Sequence, residues 1–252
     1  MPLSVLLKTS IKRGLNVLGY DVHKTPKPDA TTPYEPAYPH ATYAPWNTDR
    51  EFREIYSRIR DNTLVDVYRC YELWTLVTQL AQLPEGIIIE VGVWRGGTGA
   101  LIAAAARRAG ITDRIYLCDT FEGVTKASDL DNLYKGGEHS DTSEKIVGSL
   151  LAGFPGLTDV VVLRGVFPEE TARSVSEAKI RMCHIDVDVY NSARDVFEWA
   201  WDRLVLGGVV VFDDYGFDGC IGVTRLVDGF RGLSDRVIIH NLNGHAVVVK
   251  VS

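Results

Sequence analysis

One stretch, residues 87–102, constrains the fold more than any other part of the chain. It begins as an apolar run that includes Glu90, enters a turn containing Gly92, Gly96 and Gly97, and leaves as an alanine-rich helix. A continuous run of β-branched residues is typical of a strand buried on both faces. Glycines allow the backbone to turn tightly and to approach a ligand closely. Because a helix presents unpaired N–H groups at its start, the stretch predicts a binding turn of the nucleotide type.

Strand and helix patterns alternate after this turn, which implies a parallel sheet. The predicted strands are Ile87–Val91, Arg114–Cys118, Val160–Arg164, Met182–Val187, Val209–Phe212, Val237–Asn241 and His245–Val251. The predicted helices are Thr98–Ala109, Ser143–Ala152, Pro168–Ser176 and Ala193–Leu204. Asn243-Gly244 between the last two strands is a strong hairpin signal. Five parallel strands with an antiparallel hairpin predict the seven-stranded, mostly parallel sheet of a class I, Rossmann-like methyltransferase, since dinucleotide-binding domains more often end on a sixth parallel strand.

The N-terminal residues follow a different pattern. Apolar residues repeat at helical spacing from Leu3 to Leu18 and are accompanied by basic residues, which is typical of a helix that lies on a membrane surface or packs on the core or on a second subunit. Six of the ten prolines are interleaved with aromatic residues between positions 24 and 46. This composition forbids a helix and predicts an extended arm that wraps over a surface.

Two helices are predicted before the first strand. The capping-box pattern Thr48-Asp-Arg-Glu51 begins one of them, and Asp61-Asn-Thr63 begins a second that stops at Pro84. We therefore expect residues 1–47 to form the amphipathic helix and the arm. Residues 48–252 then form the methyltransferase domain, with residues 48–84 as a helical cover.

Composition narrows the function classes. The net charge of −6 argues against a nucleic-acid partner. None of the four cysteines forms a Cys-x-x-Cys pair, so we expect free thiols and a cytoplasmic protein. No apolar run approaches the ~20 residues of a membrane span. Residues 3–18 are the candidate for a peripheral contact at the inner membrane face.

The glycine turn favours S-adenosylmethionine over other nucleotides. Trp94 stands where a dinucleotide fingerprint needs its second glycine, and no Gly-Lys-Ser/Thr follows as in a phosphate loop. Glu90 directly before the turn suits a ligand with a positive amino group and would repel a pyrophosphate. The backbone N–H groups at the start of the helix, near Gly96, can bind the carboxylate of such a ligand.

Three residues after later strands complete the predicted cofactor site. Asp119 ends the second strand, where an acid can accept both ribose hydroxyls, as the comparable acid does in dinucleotide folds. Phe121 could flank the adenine. Gly165 follows the third strand and could let the backbone approach the adenine edge.

Four aspartates end the fourth and fifth strands. If these strands are neighbours, Asp186, Asp188, Asp213 and Asp214 meet at the carboxyl edge of the sheet, with strand tips about 5 Å apart. Carboxylates this close repel one another at pH 7, and a divalent cation removes the conflict. An all-oxygen ligand set suits Mg²⁺ or Mn²⁺. We predict that Asp186, Asp213 and Asp214 are the metal ligands.

A metal at this edge implies O-methylation. It would lower the pKa of an acceptor hydroxyl and hold its oxygen in line with the sulfonium methyl group. A carboxylate beside the hydroxyl can take the proton, and Asp186 is our first choice for this role. Asp188 and His184 are rivals, and His139, on a candidate lid at residues 136–142, is a further candidate.

Five motifs then occur in order between residues 60 and 250. They are Thr63-Leu-Val-Asp-Val-Tyr-Arg69, Glu90-Val-Gly-Val-Trp-Arg-Gly-Gly97, Asp119-Thr-Phe-Glu-Gly123, Asp186-Val-Asp-Val-Tyr190 and Asp213-Asp-Tyr215. Together they resemble the macrocin O-methyltransferase family, sugar-modifying enzymes that use S-adenosylmethionine and Mg²⁺. The resemblance implies methylation of a sugar hydroxyl on a glycosylated natural product, a glycan or a glycolipid. We also expect a homo-oligomer.

The resemblance also assigns residues. It places cofactor binding on Glu90, Gly92, Trp94, Arg95 and Asp119, the metal on the three aspartates named above, and a cover of the active site on residues 63–69. The chain departs from the family at Val187, where a glycine is usual, and at Val166, where an aromatic residue is usual. These departures concern the acceptor pocket rather than the chemistry.

Three other functions remain open at this point. A catechol-type O-methyltransferase would keep the cofactor and the metal but would take an aromatic acceptor. A metal-dependent glycosyltransferase would use Asp186-Val-Asp188 as an Asp-x-Asp motif, but it gives Glu90 and the pair Asp213-Asp214 no role. A non-catalytic cofactor-binding module would keep the glycine turn without needing the aspartates.

Overall fold

The structure is a computed structural model that describes residues 33–34, 37, 41–157, 159–176 and 179–252. The architecture below is that of the compact unit His40–Ser252. The predicted amphipathic helix at residues 3–18 and most of the proline-rich arm lie outside the described residues. Of the arm, the short turn Pro45–Asn47 is described, and the Trp46 ring contacts Tyr68 edge-on with 4.9 Å between ring centroids.

A seven-stranded sheet in the order β3-β2-β1-β4-β5-β7-β6 forms the centre of the unit. Its strands are β1 (Ile87–Val91), β2 (Ile115–Asp119), β3 (Val160–Arg164), β4 (Ile180–Ile185), β5 (Leu204–Phe212), β6 (Arg236–His240) and β7 (Ala246–Lys250). The first five strands are parallel, and β7 runs antiparallel to both β5 and β6. The predicted fold is therefore confirmed. The strand order reverses between β1 and β4, which is where open α/β sheets bind their ligands.

Helices cover both faces of this sheet. They are α1 (Arg50–Ile59), α2 (Val67–Leu80), α3 (Gly97–Arg108), α4 (Glu144–Ala152), α5 (Tyr190–Trp201) and α6 (Ile221–Asp228). Side chains from α1 to α4 form one apolar core with strand residues such as Ile88, and α5 and α6 form the other with residues such as Ile89. Neighbouring residues of β1 thus serve opposite cores, and all five of its residues are buried, as the unbroken apolar run predicts.

The ends of α1 and α2 differ from the prediction. Asp49, not Thr48, caps α1, because its carboxylate accepts a hydrogen bond from the N–H of Phe52 at 3.0 Å. Helix α2 begins at Val67 with Asp66 as its cap, so the segment from Asp61 leads into the helix without belonging to it. This helix ends at Leu80, before Pro84 is reached.

Two further differences concern short elements. The predicted helix Pro168–Ser176 is wrong, since only a 3₁₀ turn forms at Ala172–Ser174. The carboxylate of Glu170 accepts a hydrogen bond from the N–H of Val166, and the N–H of Glu170 donates to the backbone oxygen of Val166, both at 2.8 Å. Helix α6 was not predicted, because it has only eight residues and contains Gly222.

Two composition-based expectations can be compared with the structure. All four cysteines are free, as predicted, and the structure also shows all four buried. Within the described part of the chain, no helix is both long enough and apolar enough to cross a membrane.

Candidate active site

A cavity of about 400 Å³ opens at the carboxyl edge of the parallel strands. Residues that follow β1, β2 and β3 line one side, which we call the glycine-turn end. Residues that follow β4 and β5, together with segments 63–69 and 133–139, line the other side, which we call the acidic end. Cys118 lies in the wall of the first and Cys220 in the wall of the second.

The glycine turn joins the two ends. Gly92 has a φ of 88°, and a Cβ atom there would lie 1.7 Å from the backbone oxygen of Asp186. Only glycine therefore allows β1 to approach the end of β4 so closely. Gly96, with a φ of 84°, precedes α3, and the N–H of Gly97 donates to the backbone oxygen of Asn62 at 2.9 Å. The segment before α2 thus closes onto the turn.

Asp119 holds this turn in shape. One carboxylate oxygen accepts from the N–H groups of Val93 at 2.7 Å and Trp94 at 2.8 Å, and the other accepts from the N–H of Phe121 at 2.7 Å. An ionised carboxylate has about four acceptor positions, so roughly one remains for a ligand. The predicted acceptor of two ribose hydroxyls is therefore mostly engaged by backbone.

Glu90 lies beneath the cavity and is not among the residues that line it. The residue is fully buried, and its Oε1 is 2.9 Å from Nδ1 of His184. Its Oε2 has no partner and lies 2.7 Å from the position that a Cβ on Gly99 would take. Glu90 shares a strand face with Ile88, so its side chain points towards α3. The structure thus does not bring Glu90 into direct reach of a cofactor amino group.

The other predicted cofactor residues divide between the cavity and its support. Trp94 and Gly165 line the cavity, whereas Phe121 is buried in the core beside α3. Arg95 points to Asp141, with 2.6 Å between Nη2 and Oδ2, and the indole N–H of Trp94 donates to the same carboxylate at 2.9 Å. Arg95 therefore fastens the loop that carries Asp141 to the glycine turn.

The predicted metal ligands do meet at the acidic end. Asp186, Asp213 and Asp214 each offer one oxygen atom, and these atoms lie within 4.8 Å of one another. Burial, followed by the charges of neighbouring aspartates, raises the pKa values of Asp186 and Asp214 well above the usual range. Both shifts express repulsion that a cation would relieve, and an all-carboxylate set suits a hard ion such as Mg²⁺. The donor set therefore fits a divalent cation.

Asp213 differs from its neighbours because cationic side chains surround it. Arg69 forms a buried ion pair with Oδ2, while Oδ1 lies 2.8 Å from Nε2 of His245 and 3.5 Å from Nε2 of His184. Burial alone would raise the pKa of Asp213, but hydrogen bonds from both histidines and the charge of Arg69 hold it well below its usual value. Asp213 is therefore ionised.

Asp188 lies beside this cluster in a fixed conformation. Its φ of 66° is rare for a residue other than glycine, and its N–H donates to Oδ2 of Asp214 at 2.8 Å. Burial raises its pKa, and the facing hydroxyl of Tyr134 acts in the opposite direction. The Tyr134 hydroxyl is also 3.4 Å from Nε2 of His139. His139 therefore approaches Asp188 through Tyr134.

The sequence reasoning missed Tyr134, His245 and the role of Arg69. His245 precedes β7, and β7 runs antiparallel to β5 with Ala246 opposite Phe212. The start of β7 must therefore lie at the edge where β5 ends, so the predicted hairpin could have indicated His245. Tyr134 belongs to a segment without a recognisable motif, and no signal marked it.

Comparisons with known proteins agree with this geometry. The family described as macrocin O-methyltransferase (TylF) matches residues 60–244. An 8-demethyl-8-(2,3-dimethoxy-alpha-L-rhamnosyl)-tetracenomycin-C 4'-O-methyltransferase from Streptomyces olivaceus is 31% identical over 70% of this chain and 71% of that protein. The mycinamicin III 3''-O-methyltransferase of Micromonospora griseorubida is 26% identical over 75% of this chain and 78% of its own.

Solved structures share the fold. The O-methyltransferase NovP superposes with a TM-score of 0.65 at 22% identity and covers 81% of this chain and 89% of its own. TomG from Streptomyces achromogenes, solved in complex with SAM, gives a TM-score of 0.51 at 16% identity, over 81% of this chain and 91% of its own. The chain belongs to the macrocin O-methyltransferase family and is an O-methyltransferase that depends on S-adenosylmethionine.

Proposed function

We propose that the cavity binds S-adenosylmethionine at its glycine-turn end and Mg²⁺ at its acidic end, and that the enzyme methylates a sugar hydroxyl of a glycosylated natural product, a glycan or a glycolipid. The observation that carries this proposal is the contact between Gly92 and the backbone of Asp186. It makes the two ends one continuous site, so that a methyl donor on the turn and a hydroxyl at the aspartates would be neighbours.

At the glycine-turn end, backbone groups would make most of the contacts with the cofactor. The N–H of Gly97 is engaged by Asn62, so the N–H groups that follow it in the first turn of α3 would bind the carboxylate of the methionine moiety. The remaining acceptor position of Asp119 would take one ribose hydroxyl. Trp94 and Gly165 would line the space for the nucleoside. Glu90 would act from below, through its charge and its contact with His184, and not by touching the ligand.

Asp186, Asp213 and Asp214 would hold the cation. Bound there, Mg²⁺ would lower the pKa of the acceptor hydroxyl and fix its oxygen. These aspartates come from the tips of two paired strands, and Asp213 is already ionised by its cationic neighbours. The site is therefore arranged before any ion binds, which limits the reorganisation that binding would need.

We propose Asp188 as the proton acceptor, in preference to Asp186. Asp188 lines the cavity. It forms a second group of possible ligands with Asp214 and Cys220, but a hard ion such as Mg²⁺ prefers the all-carboxylate set of Asp186, Asp213 and Asp214, which leaves Asp188 for the proton. Its backbone is fixed on Asp214, and Tyr134 faces its carboxylate. In the transfer, the acceptor oxygen would bond to the methyl carbon as the carbon–sulfur bond breaks, and Asp188 would take the hydroxyl proton. His139 would assist only through Tyr134.

The rim of the acidic end favours an acceptor in which the sugar is attached to an apolar group. Three apolar side chains in the cavity wall are strongly exposed: Leu64 at 63%, Leu133 at 61% and Phe217 at 40%. An apolar group beside the reacting sugar would cover them. The rhamnosyl compound in the name of the 31% identical relative is an acceptor of this kind. A catechol-type acceptor would also contact this rim, and it remains the second candidate.

Transfer of a labelled methyl group tests the proposal. The full chain is incubated with labelled S-adenosylmethionine, with Mg²⁺ or with EDTA, and with three acceptors: catechol, TDP-rhamnose and the rhamnosyl tetracenomycin substrate of the relative. We expect label on a sugar oxygen and loss of turnover in EDTA. Label on catechol alone would favour the second candidate, and full turnover in EDTA would refute the metal.

We further propose that residues 3–18 contact a membrane or a second subunit of a cytoplasmic homo-oligomer. The support is their basic, amphipathic pattern alone. Vesicle pelleting and light scattering of the full chain and of a chain without residues 1–24 separate these outcomes. If the full chain and the shortened chain pellet equally and have the same number of subunits per complex, both the membrane contact and the subunit contact are contradicted.

A further inference from the structure

His245 forms a buried bridge between the acidic end and helix α2. Its ring is fully buried, with Nε2 2.8 Å from Oδ1 of Asp213 and Nδ1 2.5 Å from Oε2 of Glu72. Carboxylate oxygens only accept hydrogen bonds, so both ring nitrogens donate. The amide of Asn241 also donates to Oε2 of Glu72, at 2.7 Å, and fixes the outer end of the bridge. Three elements, α2, β5 and β7, therefore meet at one imidazole.

Two different donors hold the Asp213 carboxylate. Arg69 pairs with Oδ2 of Asp213, and a guanidinium can bind both oxygens of one carboxylate as a fork. Here the Nε of Arg69 donates to Oδ2 of Asp66 at 2.8 Å, and Oδ1 of Asp213 is occupied by His245, so Arg69 keeps to one oxygen of Asp213. Different donors at its two oxygens restrain the rotation of the Asp213 carboxylate, one oxygen of which lies within 4.8 Å of oxygens of Asp186 and Asp214.

We propose that His245 is a positioning residue of the metal site, which holds the Asp213 carboxylate in the orientation that a divalent cation requires. The inference rests on the proposed function, since it assumes that the three aspartates bind a cation. Groups that hydrogen-bond metal ligands typically change metal affinity by 10- to 100-fold when they are replaced. His245 is held more closely than His184: its two ring nitrogens lie 2.5 Å and 2.8 Å from carboxylate oxygens, whereas Nε2 of His184 lies 3.5 Å from Asp213.

Binding of Mn²⁺ alone tests this inference without any acceptor. Mn²⁺ is titrated into the full chain and followed by calorimetry and by the paramagnetic signal of the free ion. His245→Asn places its amide near the Nδ1 position and removes the donor to Asp213, whereas His245→Gln keeps a donor near Nε2. We expect about 10- to 100-fold weaker Mn²⁺ binding for His245→Asn and a smaller loss for His245→Gln. An equal loss of Mn²⁺ affinity in the two variants would mean that the His245 ring contributes only to packing.

A matched control comes from the neighbouring strand. His240 contacts the ring of Tyr215 at 4.8 Å between centroids, so His240→Asn should leave Mn²⁺ affinity unchanged. S-adenosylhomocysteine affinity should be equal in all variants, because the glycine-turn end is untouched. A His245→Asn protein that binds Mn²⁺ within twofold of the wild type would overturn the inference.

Two outcomes separate this inference from the proposed function. If the wild type binds no Mn²⁺, the proposed metal site is wrong, and the role of His245 falls with it. If His245→Asn does not fold, Glu72→Ala decides, because it leaves His245 in place but removes the acceptor that orients its ring. We expect several-fold weaker Mn²⁺ binding for Glu72→Ala, and an unchanged affinity would overturn the inference.

Discussion

The two ends of the cavity are built in different ways. The glycine-turn end is shaped by a tight backbone turn, and a single carboxylate, Asp119, accepts hydrogen bonds from three backbone N–H groups there. At the acidic end, side chains form the surface, and two cationic groups, Arg69 and His245, hold Asp213 in place. The glycine-turn end is thus a backbone turn held by a negatively charged carboxylate, whereas the acidic end is a cluster of carboxylates held by positively charged side chains.

This difference indicates how each end should respond to substitution. Hydrogen bonds from Asp119 hold the backbone of the glycine turn, so damage at this end should weaken ligand binding with each hydrogen bond lost. The acidic end collects charges from four elements, and its aspartates repel one another until a cation binds. Damage there should change metal binding and turnover while the cofactor still binds.

The largest effect is expected for Asp186→Asn. The variant should lose the cation and with it a contribution of roughly 4 kcal/mol to the transition state, which is about a thousandfold in turnover. Affinity for S-adenosylhomocysteine should stay within about threefold of the wild type, because the substitution changes the acidic end and leaves the glycine turn intact. Metal-free thermal stability should not fall, since the raised pKa of Asp186 records a charge that is unfavourable there. A variant with normal turnover would remove Asp186 from the metal site.

Asp119→Ala tests the other end. Each of three N–H groups loses a charged acceptor worth about 1.5–3 kcal/mol, so S-adenosylhomocysteine should bind at least about tenfold more weakly. Mn²⁺ affinity should be unchanged, which calorimetry can measure on the same protein. Unchanged cofactor affinity would mean that the glycine turn keeps its shape without Asp119.

Tyr134→Phe examines the link between Asp188 and the loop. Loss of one hydrogen bond to a carboxylate predicts about tenfold lower kcat, while the KM for S-adenosylmethionine stays constant. The phenyl ring keeps the packing, so steady-state kinetics with the acceptor found in the methyl-transfer assay isolate the hydroxyl. Tyr134→Ala, which loses the ring as well, serves as the comparison. A kcat equal to that of the wild type would exclude a role for the hydroxyl.

The pH dependence of the stability of the metal-free protein should reveal the repulsion among the aspartates of the acidic end. A carboxyl group whose pKa is raised in the folded state binds more protons when folded, so metal-free stability falls as pH rises above about 4. Burial opposes protonation of His184, but hydrogen bonds to Asp213 and Glu90 raise its pKa to about 9, and its contribution is lost between pH 6.5 and 9. The raised pKa values of the carboxyl groups and of His184 therefore both lower metal-free stability as the pH rises.

Thermal unfolding from pH 5 to 9, in EDTA and in Mg²⁺, measures this effect. We expect the Tm in EDTA to fall towards pH 9, by roughly 2–4 °C for each kcal/mol lost. The stabilisation by Mg²⁺ should grow over the same range, because metal ligands must be deprotonated. A metal-free Tm that rises between pH 6 and 9 would contradict the raised pKa values.

The smallest effect is expected for Arg95→Ala. Its ion pair with Asp141 is largely exposed, and such pairs contribute about 0–1 kcal/mol. Affinity for S-adenosylhomocysteine should therefore change by less than about threefold. A loss of tenfold or more would restore Arg95 as a cofactor ligand.

The fold was largely predictable because its signals are local. Unbroken apolar runs marked the buried parallel strands, and Asn243-Gly244 marked the hairpin. The meeting of Asp186 with Asp213 followed from the sheet alone, since parallel strands end at one edge. The predicted helix Pro168–Ser176 is wrong although two backbone hydrogen bonds of helical spacing form there, so periodicity in the sequence marked a turn that does not continue as a helix.

The orientation of single side chains was less predictable. Glu90 stands at the head of the turn in the sequence, but its strand face directs it to α3 and His184. Asp119 was assigned to the ligand, yet it binds the backbone of the turn beside it. Arg69 and His245 lie 144 and 32 residues from Asp213 along the chain, so only the packed structure brings them together.

The two cysteines in the cavity wall give the protein a built-in pair of reporters. Cys118 and Cys220 are buried thiols, one at each end, and burial raises the pKa of both. Alkylation will therefore be slow and will follow transient opening of the cavity. A cofactor that shields Cys118 and a cation or acceptor that shields Cys220 can be distinguished by mass spectrometry of the labelled peptides. Occupancy of each half of the site can thus be followed separately, in one sample and without an assay for turnover.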